Sequence, residues 1–337
     1  MSNFSSNSRI KIAVLGAGAV GSLIGGLLHK SGEDVTLIAR PEHARAINNE
    51  GLQIDGTLGV FSVPVRASET LDFSPDIVLL TVKTQDIEAT CRPIIPLLKN
   101  ATIVTLQNGL KCEHIIASLL PGASVISGVV MFNANFSTPG HVNYTLGGSL
   151  IIGEAFGDNG PRTKDVQVLL NMAIPTEISN NIIGVRWTKL LINNLVNGLE
   201  GMTGLPIGKC MEHAGLRKIG IMEFREGYFV AKKAGVQLGG LPKVPTFTAH
   251  FIANAPMFLA SLTLKLRMGS LETTSSTLQS LQRGRPTEIN FLNGEIVSIG
   301  EKLSVATPFN KEIVATVKEV ERSGRFFTPE ELVKRLL

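Results

Sequence analysis

Apolar and polar positions follow two different rhythms along the chain. The run "RIKIAVL" has the continuous apolar character of a buried strand and leads into a glycine-rich turn and a helix reaching about His29. "DVTLIAR" reads as a second strand, and "GLQIDGTLGVFSVPV" as a hairpin with Asp55-Gly56 as its two-residue turn. "DIVLLTV", a helix through about Leu98, and "ATIVTL" continue the series. Strands alternating with helices predict a parallel, doubly wound sheet. From "VISGVVMFN" to "SLIIGE" the pattern turns strand-rich, which predicts an antiparallel extension of that sheet.

After about residue 180 the strand patterns stop. Helical periodicity predicts helices over 183–200, 212–234, 245–267, 273–282, 285–302 and 308–322. "FFTPEEL" starts a last helix, with Thr328 as N-cap and Pro329 at its first position. The boundary falls near Ser179–Ile182. The expected plan is therefore α/β, with an N-terminal Rossmann-type doubly wound sheet over residues 1–180 and an all-helical domain over 181–337. A length of 337 residues agrees with two domains.

Composition narrows the function. The chain is 44% hydrophobic and 18% charged, with a net charge of +4. Its basic residues are not clustered, so nucleic acid is not an expected partner. The mild positive bias suits an anionic cofactor or substrate. Cys91, Cys112 and Cys210 are odd in number and lack metal-ligand spacing, which points to a reducing cytoplasm and no metal site. The opening "MSNFSSNSR" does not read as a signal peptide, and no apolar run is long enough for a membrane span.

"VLGAGAVGS" carries the chemistry of the first half. Gly16, Gly18 and Gly21 stand in G-x-G-x-x-G spacing, with Ala17, Ala19 and Val20 between them. The motif follows a strand and opens a helix, the context that marks a dinucleotide site. Gly16 allows the tight turn, Gly18 lets backbone approach the pyrophosphate, and Gly21 lets helix and strand pack closely. The diphosphate sits on the helix N-terminus. At the end of the second strand, where an NAD site places an acid, the chain has Ala39-Arg40. A guanidinium binds a 2′-phosphate through two parallel hydrogen bonds, so NADPH/NADP+ is the expected cofactor. Lys83, just after a strand, either meets a ligand or is a solvated loop lysine. Asn108-Gly109 in "TLQNGL" fits a turn as well as an amide aimed at the ligand crevice.

"RWTKLLINNLVNGL" places Lys189, Asn193 and Asn197 at i, i+4 and i+8, one polar stripe about 12 Å long on an otherwise apolar helix. A buried lysine with two amides needs partners, from protein or ligand. "SSTLQSLQRGRPTEINFLNG" offers Ser276 near one helix start and Glu288 in the first turn of the next. Their ordinary roles are cap and dipole partner. A glutamate near Lys189 would hold the ammonium charged.

Together these motifs resemble the ketopantoate reductase (2-dehydropantoate 2-reductase) family nearly end to end, from "GAGAVG" through "QNG" and "WTKLLINNLVN" to "SSTLQSLQRGRPTEINFLNG". The resemblance implies an active site in the cleft between a Rossmann and a helical domain, a small 2-keto acid as substrate, and a homodimer as one available assembly. It implies Lys189 as general acid and Glu288 as helper carboxylate. Asn108, Asn193, Asn197 and Ser276 would bind substrate. Arg40 would hold the 2′-phosphate and Lys83 the nicotinamide end, with Asn108 and Glu288 also touching cofactor. Thr84-Gln85-Asp86, Ser280 and Tyr144 depart from the family pattern. The expected reaction is NADPH-dependent reduction of ketopantoate for coenzyme A synthesis. The alternatives are another 2-keto or 2-hydroxy acid, or a non-catalytic NADPH-binding protein.

Overall fold

The computed structural model describes residues 9–242, 244–271 and 274–337. The chain forms two compact units. One takes the chain to Gln107 and from Lys111 to Ile182; the other takes Asn108–Leu110 and Ile183–Leu337.

Among the described residues the first unit has twelve strands: β1 (Lys11–Leu15), β2 (Asp34–Ile38), β3 (Leu52–Gly56), β4 (Phe61–Val63), β5 (Arg66–Ser68), β6 (Ile77–Leu80), β7 (Thr102–Thr105), β8 (Ser124–Val130), β9 (Asn133–Thr138), β10 (His141–Leu146), β11 (Leu150–Glu154) and β12 (Thr176–Ile178). Eight form one sheet in the order β12-β11-β8-β7-β6-β1-β2-β5. The run from β8 to β5 is parallel, and β11 lies antiparallel to β8. This is the α/β plan that strand–helix alternation predicts. Alternation along β1 sends Ile12 and Val14 into one core and Ala13 and Leu15 into another, so both faces are covered.

A smaller sheet, β4-β3-β10-β9, corrects two expectations. The strand-rich stretch does not all extend the main sheet: β8 and β11 do, while β9 and β10 leave it to pair with each other, and β10 pairs with β3. The hairpin β3–β4 forms in register Leu52↔Val63, but Asp55-Gly56 is not its turn. Both residues belong to β3, because β10 pairs there. Asp55 accepts a hydrogen bond from Asn143 and lies 2.8 Å from His141 Nε2. The chain reverses after Gly56 instead, closed by Gly59 N–H donating to the Gly56 carbonyl.

The small sheet explains why the Ala19–Lys30 helix is buried almost all round. A Cβ on Gly25 would strike Leu37 and Val14 of the main sheet, and one on Gly26 would strike Leu52 of the small one. His43 pins the layers together. Its Nδ1 accepts from Gly140 N–H at 2.8 Å, which leaves the proton on Nε2 to donate to Ser22 Oγ at 2.9 Å.

The second unit is helical around Leu190, Leu191, Leu195 and Leu199, which meet Phe224, Ile296, Ile313 and Val317. The predicted 245–267 helix is two helices, Thr246–Asn254 and Met257–Met268. Pro256 lacks the N–H that would continue the first, and it holds Ala255 in extended backbone. The predicted 285–302 helix is a 3₁₀ turn, Ile289–Phe291, followed by Asn293–Leu303; Leu292, at φ −111 and ψ −102, breaks them apart. Residue 273, the expected start of another helix, lies outside the described residues. That helix runs Ser276–Gln282. The last helix, Pro329–Leu336, has the Thr328 cap, completed by Glu331 as a capping box. Among the described residues no helix is long and apolar enough to cross a membrane.

Candidate active site

The turn between β1 and the Ala19–Lys30 helix gives each fingerprint glycine its own reason. Gly16 has φ +98, and a Cβ there would lie 2.5 Å from Val82 N. Gly21 would place a Cβ 2.4 Å from Thr81 Oγ1, so a side chain would push the helix off the sheet. At Gly18 a Cβ would meet nothing nearer than 3.9 Å, and that is the Gly16 carbonyl of its own turn. The space beside Gly18 is therefore open, as a backbone-hugging diphosphate requires. Ala17 N–H is spent on the Ile38 carbonyl at 2.9 Å. Ala19, Val20 and Gly21 begin the helix, whose first turn has no capping side chain and no acid. First-turn amides lack intrahelical acceptors and favour an anion. On these observations the residues fit a dinucleotide.

Arg40 lies exposed just beyond β2, the strand that pairs with β1, where its extended backbone starts the Pro41–Glu50 helix. The strand itself ends on Ala39-Arg40, and Glu42 follows in the first turn of that helix. Lys83 follows β6 and starts the Thr84–Asp86 turn, partly buried. Beside it is a residue that motif reading passed over. Gln107 donates from Nε2 to the Val82 carbonyl at 3.1 Å, and its buried Oε1 has no protein partner. An orphaned acceptor at the carboxyl ends of parallel strands is a place for a ligand's N–H.

In the helical unit the polar stripe lies on the Ile182–Thr203 helix. Trp187, Leu190, Leu191, Leu195, Leu199 and Met202 bury its other sides. Burial lowers the Lys189 pKa from its usual 10.5 to about 8. One turn on, Asn193 Nδ2 donates to Asn108 Oδ1 at 3.1 Å. Another turn on, buried Asn197 donates to the Asn193 carbonyl at 2.8 Å. Asn197 Oδ1 in turn accepts from Thr277 N–H at 3.1 Å and from Ser276 Oγ at 3.4 Å. Asn108, Asn193, Asn197 and Ser276 thus form one hydrogen-bonded chain, with Lys189 at its head along the helix.

Two details differ from the cap roles read from sequence. Ser275 is the N-cap, accepting from Leu278 N–H, so Ser276 keeps its hydroxyl for Asn197. Glu288 is not in the first turn of an α-helix. It precedes the 3₁₀ turn, and its carbonyl accepts from Phe291 N–H. That turn packs on the Asn108 segment: a Cβ on Gly109, at φ +88, would lie 2.6 Å from the Phe291 carbonyl.

Two further residues hold this geometry. Arg186, buried on the stripe-bearing helix, donates to the Gly109 carbonyl and so fixes the backbone beside Asn108. Glu200, fully buried three residues past Asn197, accepts from Ser275 N–H at 2.6 Å and Ile207 N–H at 2.8 Å. Burial raises its pKa, while those hydrogen bonds oppose the shift. The visible signal for both is a charge in an apolar helix. By contrast, a cavity of about 390 Å³ beside Tyr228, Lys232, Leu238 and His250 contains none of the predicted site residues.

Residues 12–157 match the family described as ketopantoate reductase PanE/ApbA, and residues 181–321 match its C-terminal counterpart. The chain is 31% identical over 317 residues to a 2-dehydropantoate 2-reductase of Pyrococcus horikoshii, covering 94% of this chain and 99% of the relative. Among solved structures it is similar to a PanE/ApbA family ketopantoate reductase from Ralstonia eutropha, at 32% identity and a TM-score of 0.81, with 93% and 99% of the two chains covered. It is also similar to D-mandelate dehydrogenase in its ternary structure with NADH and anilino(oxo)acetate, at 25% identity and a TM-score of 0.82, with the same coverage.

Proposed function

The chain belongs to the ketopantoate reductase family of oxidoreductases, and on that premise we propose that it reduces the ketone of ketopantoate to the alcohol, using NADPH, in pantothenate and coenzyme A synthesis. The observation that carries the reading is Lys189: a partly buried ammonium, made more acidic by burial, heading a chain of amides and a hydroxyl.

The family uses NADPH. In this chain the first unit would hold it: Gly16–Gly21 the diphosphate, Arg40 the 2′-phosphate, and Lys83 the nicotinamide end. Bound there, the cofactor would supply the hydride for the carbonyl carbon. The helical unit would supply the rest. Lys189 stabilises the negative charge that grows on the carbonyl oxygen and delivers a proton to it. A pKa near 8 suits that task, because the group is mostly protonated at neutral pH yet gives up its proton more readily than an exposed lysine. Asn108, Asn193, Asn197 and Ser276 orient the substrate carboxylate and hydroxyl. Glu288 supports the ammonium and contacts cofactor.

A second reading keeps the chemistry and changes the substrate. The likeness to D-mandelate dehydrogenase supports it, since mandelate is also a 2-hydroxy acid. Loss of NADPH absorbance, measured with ketopantoate and with a panel of aliphatic and aromatic 2-keto acids, decides between them. The proposal expects the highest kcat/KM with ketopantoate. A higher value with another keto acid moves the assignment to that acid. NADPH binding without turnover of any of them leaves a cofactor-binding protein.

A further inference from the structure

The Ala214–Lys233 and Thr246–Asn254 helices pack against each other and carry matching polar pairs. Tyr228 and Lys232 are four residues apart on the first helix, and Thr246 and His250 four apart on the second, so each pair shares one helix face. All four line the cavity of about 390 Å³. The Tyr228 hydroxyl lies 2.7 Å from His250 Nδ1 and ties the two faces together. A hydroxyl donating to Nδ1 leaves the ring proton on Nε2 as a further donor. The turn after the first helix makes a third wall. Gly235, at φ +73, donates to the Lys232 carbonyl at 3.1 Å, and Val236 N–H donates to the Ala231 carbonyl at 3.0 Å. This left-handed helix end brings Val236 and Leu238 to the cavity.

The chemistry of these walls is one-sided. Among the described residues no carboxylate lines the cavity, while Lys232 brings a cation and Tyr228, Thr246 and His250 bring hydrogen-bonding groups. Such a set favours an anion. Val236 and Leu238 offer an apolar surface beside it. The volume lies at the small end of the range for small-molecule sites. We propose that this cavity is a second ligand site, separate from the Lys189 stripe, that takes a small carboxylate with a branched or aromatic carbon body, and that its filling is felt on the Ile182–Thr203 helix. The carboxylate meets Lys232, Thr246 and His250, and the carbon body lies on Val236 and Leu238. The link to the helix is Gly239, the residue after Leu238. Its carbonyl accepts from Thr188 Oγ1 at 2.7 Å, and Thr188 stands between Trp187 and Lys189.

Calorimetric titration of the full chain with 3-methylbutanoate and with benzoate tests the site. Saturable binding of one or both is expected at millimolar concentration or below. Lys232→Met keeps the apolar stem and removes the charge, and it is expected to weaken that binding at least about 10-fold, as is His250→Phe. Lys189→Ala is expected to bind the carboxylate as the wild type does, which separates this site from the active site. Circular dichroism checks the fold of each variant; should His250→Phe unfold, Lys232→Met carries the test. Trp187, the single tryptophan of the chain, is 5% exposed and reads the link to the helix: its emission is expected to change along the same binding curve. Constant emission at full occupancy would remove that link. No saturable binding up to about 50 mM overturns the site itself. So does binding that is lost in Lys189→Ala but kept in Lys232→Met, or equal binding of the uncharged 3-methylbutanamide.

Discussion

The Asn193 amide donates to the Asn108 side-chain carbonyl across 85 positions of sequence, at 3.1 Å. Neither amide is then free to swing, so each keeps a defined remaining donor or acceptor, which under the proposed reading meets the substrate. Asn193→Ala removes one partner and leaves the other under-satisfied at a half-buried site, which costs about 1 kcal/mol. Steady-state kinetics is expected to show kcat/KM for the keto acid reduced roughly 10- to 100-fold, with NADPH affinity within twofold of wild type. Combining it with Asn108→Ala is expected to cost less than the sum of the two single losses. Strict additivity would mean that the pair does not act as a unit.

Under the proposed reading Arg40, exposed at the start of the Pro41–Glu50 helix, meets the cofactor's 2′-phosphate. Arg40→Ala is expected to weaken NADPH by roughly 10- to 100-fold, the worth of charge-assisted hydrogen bonds to an anion. NADH, lacking that phosphate, is expected to bind almost unchanged. Fluorescence titration of both cofactors reads the difference, and equal losses would remove the 2′-phosphate role.

Two buried groups pull the stability profile in opposite directions. Burial lowers His43 to about 4, so the folded protein keeps it neutral while the unfolded chain takes up a proton from about pH 6.5 downward. Its stabilisation, on the order of 3 kcal/mol, is present above pH 6.5 and lost as pH falls toward 4. Burial raises Glu223 to about 8, so the folded protein keeps that proton and the unfolded chain releases it. Stability from this group is full below about pH 4.5 and falls as pH rises through 8. Between about pH 4.5 and 6.5 the two slopes oppose and nearly cancel, so urea unfolding of the wild type is expected to show stability falling from about pH 6.5 to 8. Glu223→Gln is expected to remove that fall and to uncover the His43 rise between about pH 4 and 6.5; an unchanged alkaline slope would put its origin elsewhere.

Local signals read well where local physics decides. The fingerprint turn, the parallel strands and the Thr328 cap depend on residues a few positions apart, and each has its expected form. Most differences between expectation and structure lie where a distant segment intervenes. Asp55-Gly56 has turn chemistry, yet pairing with His141–Tyr144 keeps both residues in a strand. Ser275 and Ser276 are equally good caps by type, and only the reach to Asn197 separates their roles. Pro256 is a local exception: the break is legible, but helical periodicity continues on both sides of it. Arg186 and Glu200 hold the site from buried positions, but their partners, Gly109 and Ser275, lie about 75 residues away.

Lys189→Ala tests the central claim most directly. With circular dichroism and NADPH affinity unchanged, the variant is expected to lose roughly 10²- to 10⁴-fold in kcat for keto acid reduction. In the wild type, the same rate is expected to fall as pH rises past about 8, where the ammonium loses its proton. A variant that turns over ketopantoate at the wild-type rate would contradict the account.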